Sequence, residues 1–478
     1  MSRVWSVAVA EWQLWLRSKV ATVAFGVIAA LLAIASLSTA AHMSEERHAR
    51  THQQQQAEET FLAQPARHPH RMVHYGHYVF RTPPPLSIID PGVDAVTGQS
   101  IFLEGHRQNT AMFADIRASA SLGGFPSLSP AFVYQVLTPL LLIALGHAVF
   151  VREREAGTLS PLLAQGVSGH TLFVGKVLAL AALSVAILLP IAVLAFVGLV
   201  GGEAIATSLA LVGINALYLL VWSAVIALVS AVVKTRSLAL GLLVFIWLAW
   251  VLVIPRIAVA TTSAALPVTG KIESDFQMYA DMRELGDGHN AADPAFAELR
   301  NNLLAEYDVA SVEELPINFR GVVAQASEQD LTTLMNQYAE RRMAAEAEQT
   351  RRASAFGWLS PTMALGTGSR TLAGVDLLTH HRFLREAEIV RYDFVQGLNQ
   401  VHIDELSYAD DVNRSASEAA SRQAQVSPEN WAVLSAFQFE PAPPRDRIGD
   451  AVSPIAKLLL WLMGLLAVGL GVARRLAP

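Results

Sequence analysis

The chain has 478 residues, 53% of them hydrophobic and only 16% charged, with a mean hydropathy of +0.37; a soluble protein of this length carries about a quarter charged residues. Its lack of cysteine excludes disulfides, thiolate metal sites and cysteine nucleophiles. The net charge of -6 is modest and gives no case for nucleic acid as a partner.

Residues 3–18 place Val4, Trp5, Ala8, Trp12, Trp15 and Leu16 on one side of a helical period, with Arg3, Gln13 and Arg17 on the other. Aromatics opposite basic groups describe a helix lying in the headgroup layer, although ordinary flanking of a span by Trp and Arg accounts for the same residues. Residues 1–19 are therefore expected to form a cytoplasmic interfacial helix. Apolar runs follow at 20–41, 131–149, 177–200, 205–233, 238–260 and 454–473. A bilayer is crossed by about 20 apolar residues, so each run reads as a transmembrane helix. The first is too long for the apolar region of a signal peptide, and no cleavable leader is expected. Pro139 and Pro190 lie inside runs, where proline kinks a helix.

With the N-terminus inside, the short inner segments hold Arg3, Arg17, Lys19, Arg152, Arg154, Lys176, Lys234, Arg236, Arg474 and Arg475. The short outer loop, 201–204, carries Glu203 and no basic residue. The positive-inside rule then puts both termini in the cytoplasm, with 474–478 as a tail. Two long polar segments, 42–130 and 261–453, fall outside. The first opens with a Gln- and Glu-rich helical stretch at 44–61, then becomes rich in Pro, His and aromatics. Pro83-Pro84-Pro85 and Asp90-Pro91-Gly92 enforce extended and turn structure, and 101–109 reads as a short strand or helix. The second is mostly helical, with helices expected at 271–285, 293–307, 322–352 and 380–399. Residues 356–378 are apolar and Gly-rich and are expected to pack back against the outer ends of the spans. Residues 417–444 are polar, becoming Pro-rich as they lead into the last run.

No phosphate-binding loop is present. The nearest candidate has Gly175-Lys176 but His170 where the motif needs glycine and Val177 where it needs Ser or Thr. His147 and Arg256 lie near run ends, where snorkelling accounts for them; Asn215 and Tyr218 add weaker polarity. His42, His48, His52, His68, His70, His74, His77 and His106 crowd the first outer segment. The spacing His70-x3-His74-x2-His77 brings imidazoles together for Zn or Cu, the competing reading being incidental histidine in an exposed loop.

The polar gap at 150–176 lies between two apolar runs. Glu153-Arg154-Glu155-Ala156-Gly157-Thr158-Leu159, then Leu162-Leu163, then Gly175-Lys176 entering a span, resembles the loop between spans two and three of ABC-2 type transporter permeases. Ser360-Pro361, Leu372-Ala373-Gly374 and Phe383 look like members with a large insert between spans five and six. Tyr75-Gly76 and Leu103-Glu104-x-His106-Arg107-Gln108-Asn109 look like a subgroup whose outer domain is uncharacterised. Typical members have a short loop after span one, and this chain departs there. The resemblance implies a mainly α membrane protein of six transmembrane helices, an ABC-2 (type V exporter-like) permease with a large, mostly helical extracytoplasmic domain, multi-pass in a bacterial inner membrane. It implies as partners two ABC ATPase subunits, a second permease copy or paralogue and the lipid bilayer, with a periplasmic partner as a further possibility. ATP and Mg would bind the ATPase, so this chain is not expected to be an enzyme or to hold a cofactor of its own. Glu153, Arg154, Glu155, Gly157, Thr158, Leu159, Leu162 and Leu163 would couple it to the ATPase as one helix over 153–165. The expected function is transport or extraction of a large or amphipathic substrate. The alternatives are transmission of ATP-driven motion to a periplasmic partner without bulk transport, and a non-transporting scaffold or metal-binding receptor.

Overall fold

The structure, a computed structural model, describes residues 3–112 and 128–476; residues 113–127 of the first outer segment lie outside the described residues. Six helices are long and apolar enough to cross a membrane: Thr22–Leu62, Pro130–Glu155, Gly169–Val200, Ile205–Val232, Arg236–Ala265 and Pro444–Ala473. They coincide with the six apolar runs. The fourth is the central one. Leu211, Ile214, Tyr218, Leu219, Trp222 and Ile226 are buried along it, and it packs against the second, third, fifth and sixth spans.

The first span is longer than the sequence suggests. Lys19–Leu62 is one helix of 44 residues, about 66 Å at 1.5 Å per residue, so the polar stretch at 44–61 is its continuation. Between His42 and Leu62 there is neither Gly nor Pro, and the abundant Ala, Glu, Gln and Arg favour helix, so nothing stops it at the membrane edge.

Prolines shape the other spans. Pro139 has no N–H to offer the Gln135 carbonyl four residues back, and a π-helical turn, Val133–Leu137, precedes it. An orphaned carbonyl in an apolar interior is costly; here Tyr218 donates its hydroxyl to Gln135 O at 2.7 Å, and Trp247 Nε1 donates to Val136 O at 2.9 Å. Pro190 divides the third span into Gly169–Ile187 and Leu189–Val200, and Tyr134 donates to the Ile187 carbonyl at 2.7 Å. The fifth span carries a second π turn, Ala249–Val253, ahead of Pro255, and Ser360 donates to its Trp250 carbonyl at 2.6 Å. Each break in a span is thus bonded to a side chain of another element.

Ser360 opens the helix Pro361–Ala373, which it caps by accepting the Met363 N–H. This helix packs between the fourth and sixth spans and reaches Tyr218, midway along the fourth, through Thr362 at 3.0 Å. The expected return of 356–378 to the spans is therefore found, and it goes deeper than their outer ends.

The two outer segments fold as one unit. Strand β1 (His77–Phe80) pairs antiparallel with β2 (Ser100–Leu103), His77 facing Leu103. Their apolar side chains, with Phe61 from the end of the first span, share a core with Phe383, Phe394, Leu398 and Trp431 of the second segment. Trp431 Nε1 donates to Gln64 O at 2.9 Å. The long helix Phe319–Ala355 packs along Leu377–Glu405. Asn318 and Asp376 cap these two by accepting the N–H groups of Arg320 and Thr379, which starts each helix three residues earlier than its periodicity indicates. The other two helices expected in the second segment are shorter than read, Lys271–Met282 and Ala297–Glu306, the latter following a 3-10 turn at Pro294–Phe296.

Candidate functional site

The connection after the second span is two short helices, Val151–Glu155 and Leu159–Ala164, where a single helix was expected. The break lies at Gly157, whose φ of +67 is a left-handed conformation that favours glycine. Every charged residue expected at this site is bonded inward. Glu153 accepts from Lys176 Nζ at 2.7 Å. Arg154 donates to the Ala231 carbonyl at 2.8 Å and to that of Val233, capping the end of the fourth span. Glu155 bonds the Arg236 backbone N–H at 2.8 Å and its guanidinium at 2.6 Å, tying on the start of the fifth. Leu159 and Leu163 are buried and Leu162 is partly buried. The exposed surface comprises Glu155, Ala156, Gly157, Thr158, Ser160, Pro161, Ala164 and Gln165.

Lys176 is the centre of this arrangement. It is fully buried, donates to Glu153 Oε1 and Glu11 Oε1 at 2.7 Å each, and also donates to the Val149 carbonyl. Glu11, on the N-terminal helix Arg3–Arg17, is itself buried and accepts both bonds of Arg152 at 2.8 and 3.0 Å. Buried charge is tolerated only when paired and hydrogen-bonded, and here an acid–base chain joins the N-terminal helix, the connection and the third span. The N-terminal helix lies close enough that a Cβ on Gly175 would meet Val7 Cβ at 2.7 Å and Val4 O at 2.9 Å. That contact is the use of the Gly175-Lys176 pair. The sequence reading passed over Glu11, although its spacing from Val4 and Trp15 sets it at the edge of the apolar face, and a carboxylate there was the signal that could have found it.

Towards the outer ends of the spans lies a cavity of about 980 Å³. Gln135, Pro255 and Pro454 of three spans, Met363 and Arg370 of the inserted helix, and Ser354 of the long helix line it. Charged Lys457 and Asp450 of the sixth span and apolar Val251 and Val259 of the fifth line it as well. Nearby, Arg447 of the sixth span pairs with Glu203 of the short outer loop, both buried.

The histidines divide into separate groups. His70 and His74 lie one turn apart on the helix Pro69–Tyr75, and their Nε2 atoms are 3.1 Å apart. His77 does not join them. Gly76, with φ +71, ends the helix, and His77 begins β1 facing elsewhere, buried against Phe61 and 3.5 Å from Gln54. The partners of His70 and His74 are His106 and His289, and one nitrogen from each of the four lies within 4.8 Å of the others. Burial and the surrounding imidazoles push His70 down to about 2. Of the motif around His106, Gln108 bonds Asn336 at 3.0 Å and the His106 N–H bonds Glu328 at 3.1 Å, so it docks the first segment on the long helix.

Two buried carboxylates hold this unit together. Glu328 takes His106 Nδ1 at 2.8 Å and the guanidinium of Arg391, which also clamps Glu388 with two bonds of 2.8 Å. Burial opposes ionisation of Glu328, but the His106 hydrogen bond and the Arg391 charge outweigh it and hold the group at about 2. Asp411 takes His68 at 3.0 Å, His402 at 2.8 Å, Asn318 at 3.3 Å and Arg414. Burial disfavours its charge too, yet the His402 and His68 bonds keep its carboxyl well below the usual range. Sequence patterning offers no signal for these pairs, whose members are up to 343 residues apart.

No curated protein matches the chain. Residues 275–440, covering most of the second outer segment, match a family described as a domain of unknown function, DUF3526.

Proposed function

We propose that the chain is the permease subunit of an ATP-driven transporter of the ABC-2 type, moving or extracting a large or amphipathic substrate and driven by a separate ATPase. The observation that carries this reading is the connection at 151–164. A short exposed surface is fixed by Lys176, Glu11, Glu153, Arg154 and Glu155 to the N-terminal helix and to the third, fourth and fifth spans. A push on that surface reaches several spans together, because stiff, fully bonded elements transmit displacement. The cavity of about 980 Å³ at the far end, with mixed polar and apolar walls, suits an amphipathic substrate. In this reading both termini face the cytoplasm of a bacterial inner membrane, the outer unit is periplasmic, and a second permease copy or paralogue completes the assembly.

The test is co-expression with candidate ABC ATPase subunits from the same genome. The complex should copurify, and the permease should stimulate ATP hydrolysis. Ser160→Arg, on the exposed surface, should cut that stimulation at least about tenfold, the cost of about 1.4 kcal/mol at an interface, with the permease still in the membrane. Failure to bind an ATPase refutes the proposal. Full stimulation by Ser160→Arg removes 151–164 from the coupling role.

A further inference from the structure

We propose that His70, His74, His106 and His289 bind one divalent transition-metal ion, Zn2+ or Cu2+, which clasps the loop carrying His289 to the first outer segment. The donor set comes first. Four imidazoles with one nitrogen each inside 4.8 Å suit borderline metals, and among the described residues no oxygen-rich cage for Ca2+ or Mg2+ accompanies them. The rings gather with centroids between 4.7 and 6.2 Å apart, from three separate stretches of chain. In a tetrahedral zinc site with bonds of about 2.0–2.1 Å, ligand nitrogens lie roughly 3.3 Å apart. His70 and His74 already stand at 3.1 Å.

The support behind the ligands is the second observation. Metal-bound histidine typically gives its other ring nitrogen to a carboxylate, which fixes the tautomer and the ring orientation. His106 Nδ1 lies 2.8 Å from Glu328, and His289 Nδ1 lies 3.1 Å from Asp287. Glu328 is in turn locked by Arg391. His106 Nε2 is buried and has no hydrogen-bond partner among the described residues, an expense that a metal bond would remove. His106 also has φ +62, and its backbone N–H is held by the same Glu328. A non-glycine residue held in that conformation by a buried carboxylate is a positioned one.

The other buried grouping, His68, His402 and Asp411, differs in kind. Arg414 and Arg320 already lie on Asp411, so a dication there would meet existing positive charge. The four-histidine group has no Lys or Arg paired to its ring nitrogens among the described contacts; the charge of Glu328 is shared with Arg391, and Asp287 sets a further carboxylate beside His289. With four protein ligands the site is closed, which is the form of a structural metal rather than a catalytic one.

The experiment uses the full-length chain in detergent, stripped with chelator and titrated with Zn2+ and, separately, Cu2+. We expect about one ion per chain by elemental analysis, a rise in melting temperature, and a visible absorption spectrum of tetrahedral form when Co2+ is the probe. His74→Ala and His289→Ala should each weaken binding at least tenfold, and Glu328→Gln should weaken it about 10- to 100-fold. His289 lies on an exposed loop, so His289→Ala keeps the fold intact and isolates ligation. His52→Ala, on the exposed face of the first helix, should change nothing. Metal that still binds equally in His74→Ala and His289→Ala, or no stoichiometric metal in the wild type, overturns the site.

Discussion

Lys176 shows how one residue organises one end of the bundle of spans. It bridges Glu11 and Glu153 in a position without solvent contact. Removing one member of a buried ion pair typically costs about 3–5 kcal/mol, because the charges left behind have lost both water and partner. Lys176→Met should therefore lower the melting temperature in detergent and free the N-terminal helix to proteolysis. A melting curve unchanged from wild type would show that the network carries no stability. In the outer unit the residue-scale prediction concerns acid. Burial pushes His77 and His380 down to about 4, with Arg81 adding to the effect at His380. His68 is also lowered by burial, and its Nδ1 accepts the His70 N–H that starts the helix. The unfolded chain binds these protons near pH 6.5 while the folded one resists them, so stability is full above that pH. It is lost as the pH falls from about 6.5 towards 4. The protection factors of the backbone amides of 69–80 against hydrogen exchange should fall over that window, and protection that is flat from pH 7 to 4 would contradict it.

At the scale of elements, the helices are held by close approach and by bonds to broken backbone. Gly175 is where the N-terminal helix meets the third span, and a Cβ there would fall under 3.0 Å from Val7 and from the Val4 carbonyl. Gly175→Ala should shift that helix outward and cost about 1–3 kcal/mol, as overpacking does. Fluorescence of Trp12 and Trp15, whose indoles bond the Ala179 and Leu145 carbonyls at 3.1 Å, should report the shift. Element identity was well marked along the chain, because 20 apolar residues or a long Ala- and Glu-rich stretch have few alternatives. Element ends were less so. The helix of the first span runs on to Leu62 because no residue stops it, and the stretch at 153–165 divides because Gly157 turns it. The strand at His77 was hidden by a neighbouring helix only seven residues long, from which Gly76 separates it.

At the scale of the whole molecule, the absence of cysteine makes orientation directly measurable. If 151–164 is cytoplasmic and the outer unit periplasmic, Thr158→Cys should resist a membrane-impermeant maleimide in intact cells and react after permeabilisation. Glu306→Cys, exposed on the outer unit, should react in both. The reverse pattern would invert the molecule and with it the proposed function.

The sequence by itself determined six membrane-length helices, a polar connection between the second and third, and two long polar segments, since apolar run length and charge are local properties that need no partner. It also marked His70, His74 and His77 as a candidate group by their spacing, in a Pro-rich stretch with no clear helical signal. Only the tertiary structure decided that His77 leaves them and that His106 and His289 join. It alone paired Glu11 with Lys176 and bonded the inserted helix at 361–373 to the bundle. These are contacts between residues far apart in the chain. Their energy comes from burial and from satisfying polar groups cut off from water, and neither is fixed until distant segments meet.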